Sequence, residues 1–128
     1  MSKKFQEKVF FLERKDFNLD GSLKYDLRGR YLLIMLGSST CPHCITTVPL
    51  FDKFTQLNAQ NKRYYILSGF VQANGEQREL GLLFKKLYNI EGVPMFLLYG
   101  PSGKLVKLTY EDRTPEELQN FVARNINI

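Results

Sequence analysis

The segment Cys41-Pro42-His43-Cys44 holds both cysteines of the chain and its only histidine. Two thiols three positions apart, the second inside the predicted start of a helix, can close and open one small disulfide. No third cysteine exists to form a competing bridge, so thiol–disulfide exchange is the first chemistry these residue types suggest. The spacing also predicts unequal surroundings. Cys41 should sit at or just before the first helical turn, beside unpartnered backbone N–H groups and the positive end of the helix dipole. Both favour thiolate, so its pKa should lie below the roughly 8.5 of a free cysteine. Cys44, one turn deeper, should stay shielded and protonated until needed. On this reading Cys41 attacks a substrate disulfide and forms a mixed disulfide. Cys44 then attacks Cys41, releases the reduced substrate and leaves the Cys41–Cys44 disulfide. The reverse sequence oxidises a substrate dithiol.

The two intervening residues are expected to tune the couple. Pro42 fixes φ and suits a first helical turn. His43 can bring positive charge or a hydrogen bond to the Cys41 sulfur; a bystander on the loop is the alternative. Each pKa unit of thiolate stabilisation is about 1.4 kcal/mol, or about 30 mV in a two-electron couple. Stabilising the reduced form makes the disulfide the stronger oxidant, so a couple more oxidising than a Gly-Pro dipeptide would give is expected. A zinc site would need three or four protein ligands, and one adjacent histidine does not complete one. Inert buried cysteines are a further alternative. A cysteine protease lacks support, because no histidine lies elsewhere in the chain to act as base. No Pro/Thr/Arg pocket for a peroxide-reducing thiol is evident.

At 128 residues with 44% hydrophobic content, the chain fits a single domain (1–128) with a substantial core. Met1-Ser2-Lys3-Lys4-Phe5 lacks the apolar run of a secretory signal, and no stretch approaches 18 apolar residues. The expectation is a monomer in the cytoplasm, away from membranes, where thiols stay mostly reduced. Net charge is +5, from 18 basic and 13 acidic side chains. These charges are scattered and carry no RNA-recognition signature, which argues against a nucleic-acid partner.

The elements that must position the thiols follow from hydrophobic patterning. Val9–Leu12 reads as a first strand. Residues 13–30 are polar and turn-rich, either a short helix or an irregular arm. Tyr31–Leu36 is a continuous apolar run, as in a central strand covered on both faces, and residues 37–40 form its exit loop. Ile45, Val48, Phe51, Phe54 and Leu57 predict a helix, kinked at Pro49. Tyr64–Leu67 reads as the next strand, followed by a polar stretch over 72–78. Leu80, Leu83, Phe84 and Leu87 mark a helix ending near Asn89. Met95–Tyr99 and residues 104–109 flank the Gly100-Pro101-Ser102-Gly103 turn and predict an antiparallel hairpin. Thr114-Pro115-Glu116-Glu117 is a capping box opening a last helix with Leu118, Phe121 and Val122 inward. The order predicts an α/β fold: a mixed sheet between helical layers, closed by a hairpin and helix.

Taken together, the strand–loop–CxxC–helix at 31–57, Pro49 five residues after Cys44, Gly92-Val93-Pro94 before a strand, and the hairpin and capped helix resemble the thioredoxin superfamily over about residues 9–126. The resemblance implies a thioredoxin-like three-layer α/β/α sandwich and a protein-disulfide oxidoreductase without metal or organic cofactor. Its partners would be protein thiols and disulfides and a reductase or oxidant. It further implies that Pro94 is a cis proline facing the CxxC, that the Val93 backbone pairs with an extended substrate, and that Thr40 occupies a substrate-facing position. A non-enzymatic adaptor with this fold and a redox-controlled disulfide latch is the alternative.

Several positions depart from the family pattern. Thr40 replaces an aromatic residue, and the chain has no tryptophan. Met35 stands where a buried acid relays the proton of the inner thiol, with Glu111 a weak substitute. Tyr110 and Glu111 occupy the place of a groove glycine. The Pro-His dipeptide is similar to that of bacterial periplasmic disulfide oxidants, but their helical insertion is absent.

Overall fold

The structure is a computed structural model that describes residues 5–6, 8–61 and 66–126. Five strands form one sheet in the order β1-β3-β2-β4-β5. They are β1 (Phe10–Phe11), β2 (Tyr31–Gly37), β3 (Ile66–Gln72), β4 (Met95–Tyr99) and β5 (Leu105–Thr109). The first three run parallel, and β4 and β5 are antiparallel to their neighbours. The helices are α1 (Pro42–Ala59), α2 (Arg78–Tyr88) and α3 (Pro115–Asn125).

Strand β2 lies at the centre, and its alternation divides the core. Leu33 and Met35 face α1 and α3, joined there by Cys44, Phe51 and Phe121. Leu32, Ile34 and Leu36 face α2, with Leu80, Phe84 and Tyr99. Both sides of β2 are thus buried, which is why its run is apolar without a polar phase. The result is the expected three-layer sandwich.

Some boundaries differ from the sequence reading. The next strand was expected at Tyr64–Leu67. Tyr64 and Tyr65 lie outside the described residues, as do Met1–Lys4, and β3 runs on to Gln72. The continuation through Ser68-Gly69 has weak strand character, but both neighbouring strands pair with it. Ser68 is satisfied inside the core by the Thr55 hydroxyl, 2.8 Å away. The α1 stripe is also rotated. A strict three-residue step drifts about 60° per step against a helix of 3.6 residues per turn. Ile45 and Leu57 are therefore only half-buried, while Cys44, Val48, Phe51, Thr55 and Asn58 form the buried face. Pro49 does not end the helix.

The segment 13–30 is an arm rather than a helix. It holds one 3-10 turn at Arg14–Asp16 and a bridge between Phe17 and Leu23. Its Phe17, Leu23 and Leu27 are buried on the α2 side. The buried Tyr99 hydroxyl donates to the Gly21 carbonyl at 2.6 Å, where a φ of +83° suits glycine.

Candidate active site

Cys41 is the N-cap of α1, with extended backbone angles, and Pro42 occupies the first helical position. The Ile45 N–H donates to the Cys41 carbonyl at 3.1 Å, starting the helix. Cys44 falls on the buried stripe and has no exposed surface. Cys41 lies at the helix mouth and is partly exposed; both thiols are free. The asymmetry is thus a consequence of helical phase.

The exit loop before Cys41 is tied down from two directions. The Cys41 N–H donates to the Ser38 carbonyl at 3.3 Å. The Asn74 amide donates to Ser39 Oγ at 2.8 Å, and Asn74 Oδ1 accepts from the Ser39 N–H at 3.2 Å. Thr40 is exposed, and its hydroxyl lies 3.0 Å from that of Ser38.

The electrostatics of the two sulfurs differ in sign. Desolvation works to raise the Cys41 pKa. It is outweighed by hydrogen bonds from the Cys44 thiol and from the Cys44 and His43 backbone N–H groups, with the Arg113 charge assisting, so Cys41 is held below an ordinary thiol. Desolvation pushes Cys44 up to about 12, aided by its neighbour Cys41 and opposed by the Ser38 N–H and the charge of Arg113. Met35 is fully buried against this site, and the core around Cys44 is made of apolar side chains. Glu111 is exposed at the molecular surface.

His43 reaches Cys41 through its backbone N–H. Its side chain is exposed, and its carbonyl accepts from the Thr46 and Thr47 hydroxyls at 3.1 and 2.6 Å. The full charge whose field reaches both sulfurs belongs to Arg113. Sequence reading missed Arg113 and Asn74; an arginine before a capping box and an asparagine in a polar loop carry no local sign of either role.

The loop before β4 completes the site. The Val93–Pro94 peptide bond is cis. The Cys41 thiol points to the Val93 carbonyl, 3.7 Å away and 52 positions along the chain. A groove of about 570 Å³ extends from Val93 and Pro94, bordered by Tyr110 and Arg113. The sequence motif 41–44 and the Gly92-Val93-Pro94 segment therefore meet at one place. Among the described residues, no group of three or more His, Cys, Asp and Glu side chains is arranged to hold a metal ion. No helix among them is long and apolar enough to cross a membrane.

No family profile and no curated protein sequence matches the chain. Solved structures do. The zinc-bound form of human ERp44 superposes with a TM-score of 0.67 and 11% identity, covering 91% of this chain and 32% of that one. The chain thus spans about a third of the length of ERp44. A thioredoxin-fold protein described as a candidate oxidoreductase gives a TM-score of 0.56 at 18% identity, covering 71% of this chain and 76% of that one. At these identities the likeness establishes the fold alone, a thioredoxin fold.

Proposed function

We propose that this chain is a thiol–disulfide oxidoreductase that exchanges electrons with protein disulfides and dithiols through the Cys41–Cys44 couple. The observation that carries this reading is the opposite treatment of two adjacent thiols. Cys41 is accessible and favoured as thiolate, and Cys44 is buried and held protonated. Thiolate is the nucleophile in exchange, so Cys41 attacks and Cys44 resolves. Pro42 and the His43 backbone shape the turn around Cys41. The backbone at Val93, whose carbonyl faces the Cys41 sulfur, offers a place beside Pro94 for an extended substrate to lie, with exposed Thr40 next to Cys41 as a further contact. Such a couple would operate with a separate reductase or oxidant, in a reducing compartment such as the cytoplasm.

The test is insulin reduction driven by dithiothreitol. The wild-type protein should accelerate it, and Cys41→Ser should fall to the uncatalysed rate; equal rates would overturn the proposal. A second reading, a redox-latched adaptor, draws support from the apolar surroundings of Cys44, which slow resolution and prolong mixed disulfides. Under that reading, mixed disulfides with partner proteins accumulate in the wild type without turnover.

A further inference from the structure

We propose that Arg113 selects substrates, favouring a polypeptide disulfide with an acidic residue beside the reacting cysteine. The inference rests on the oxidoreductase reading above and concerns which disulfides that site accepts.

Arg113 borders the groove that starts at Val93 and Pro94, and the Val93 carbonyl is the contact of the Cys41 thiol. Its position is built. The Arg113 N–H donates to the Glu117 carboxylate at 3.1 Å, within the cap of α3. Its Nε donates to the Tyr110 carbonyl at 3.0 Å. Those bonds aim the guanidinium but leave its two terminal nitrogens without a hydrogen bond or ion pair among the described residues. Asp112, the residue before Arg113, pairs with Arg124 instead. A held guanidinium with open donors at the edge of a groove can receive a carboxylate, since its planar fork matches a carboxylate in a bidentate manner.

The groove also contains a negative charge, Glu91. Of the two, the charge that lowers both Cys41 and Cys44 is that of Arg113. The preference for acid therefore applies near the reacting sulfur. The same positive field steadies the thiolate released when the substrate disulfide breaks.

In the reaction, Cys41 thiolate attacks one sulfur of the substrate disulfide. A Cys41–substrate disulfide forms, and the other substrate sulfur leaves as thiolate. Cys44 then displaces the first sulfur as a second thiolate, its own proton passing to solvent. Two electrons move from the protein dithiol to the substrate.

The test uses reduced protein in single turnover with three peptide disulfides. They differ only in the residue next to cysteine, which is Glu, Gln or Lys. Each rate is normalised to the same peptide's reaction with dithiothreitol, which removes intrinsic differences in reactivity. The Glu peptide should react about fivefold faster than the Gln peptide and the Lys peptide about fivefold slower, with both gaps shrinking at high salt. Arg113→Gln should bring the three rates together, and Arg113→Lys should retain part of the spread. The ratios do not depend on how much of a variant is folded. A wild type that ignores the flanking residue, or a preference that survives Arg113→Gln, overturns the inference while the oxidoreductase reading stands. A wild type inert toward all three peptides overturns both.

Discussion

The step most exposed to the structure is resolution of the mixed disulfide, in which the Cys44 thiol must lose its proton before it attacks Cys41. In the mixed disulfide Cys41 carries no charge, so its upward push on Cys44 disappears. Desolvation, the largest cause, remains. A group with a pKa of about 12 is ionised at pH 7 to about one part in 10⁵. Against an ordinary thiol at about 8.5, that is roughly a 3000-fold smaller thiolate fraction. A more basic thiolate is also a better nucleophile, with a Brønsted exponent of about 0.45, which recovers about 1.6 of the 3.5 logarithmic units. With the Cys41 part of the upward push gone, resolution should be slower by at most about 80-fold near neutrality than with an unshielded thiol. Its logarithm should rise by about one per pH unit from about pH 6 to about pH 9. The assay joins Cys41 to a coloured aromatic thiol under acid conditions. The adduct is then mixed rapidly into buffers across that range, and the appearance of colour is timed. Cys44→Ser should abolish the release. A plateau with a midpoint below about pH 8.5 would refute the reasoning, since it would require a nearby base or an ordinary thiol.

Further outcomes follow from the same packing. The reduced protein should lose stability as pH rises above about 8.5, because the unfolded chain releases the Cys44 proton there and the folded chain keeps it. The slope is up to about 1.4 kcal/mol per pH unit. Cys44→Ala should flatten that slope in denaturant titrations, and the raised buried Tyr99 adds its own loss above about pH 10. Gly81→Ala would place a Cβ 2.5 Å from the Ala73 carbonyl oxygen and 3.0 Å from its Cα. Backbone does not yield as a side chain tip does, so a loss of about 1–3 kcal/mol is expected in urea unfolding. Thr114→Ala removes the hydroxyl that accepts from the Glu117 N–H at 3.2 Å. It should cost about 1 kcal/mol, read as a Tm lower by about 3–5 °C.

The features legible in the amino-acid sequence were those encoded by near neighbours. The pair Cys41 and Cys44, the covered strand at Tyr31–Leu36, the Gly100–Gly103 turn and the Thr114–Glu117 cap each depend on a few consecutive residues. Their geometry is imposed locally by helical phase, pleat and turn chemistry. From them the element order and the layered α/β fold could be read. Other features depend on residues far apart in the chain, which only packing brings together. The arm at 13–30 was ambiguous because its polar stretches mask three anchors, Phe17, Leu23 and Leu27, that gain a core only when α2 and the sheet are in place. The extension of β3 through Ser68-Gly69 required partner strands to make it favourable. Asn74 meets Ser39 across 35 positions, and Arg113 reaches the sulfurs only once α3 is capped and docked. The tertiary structure alone decided how apolar the surroundings of Cys44 are and which charge faces Cys41, because desolvation and Coulomb interaction depend on distance in space rather than along the chain.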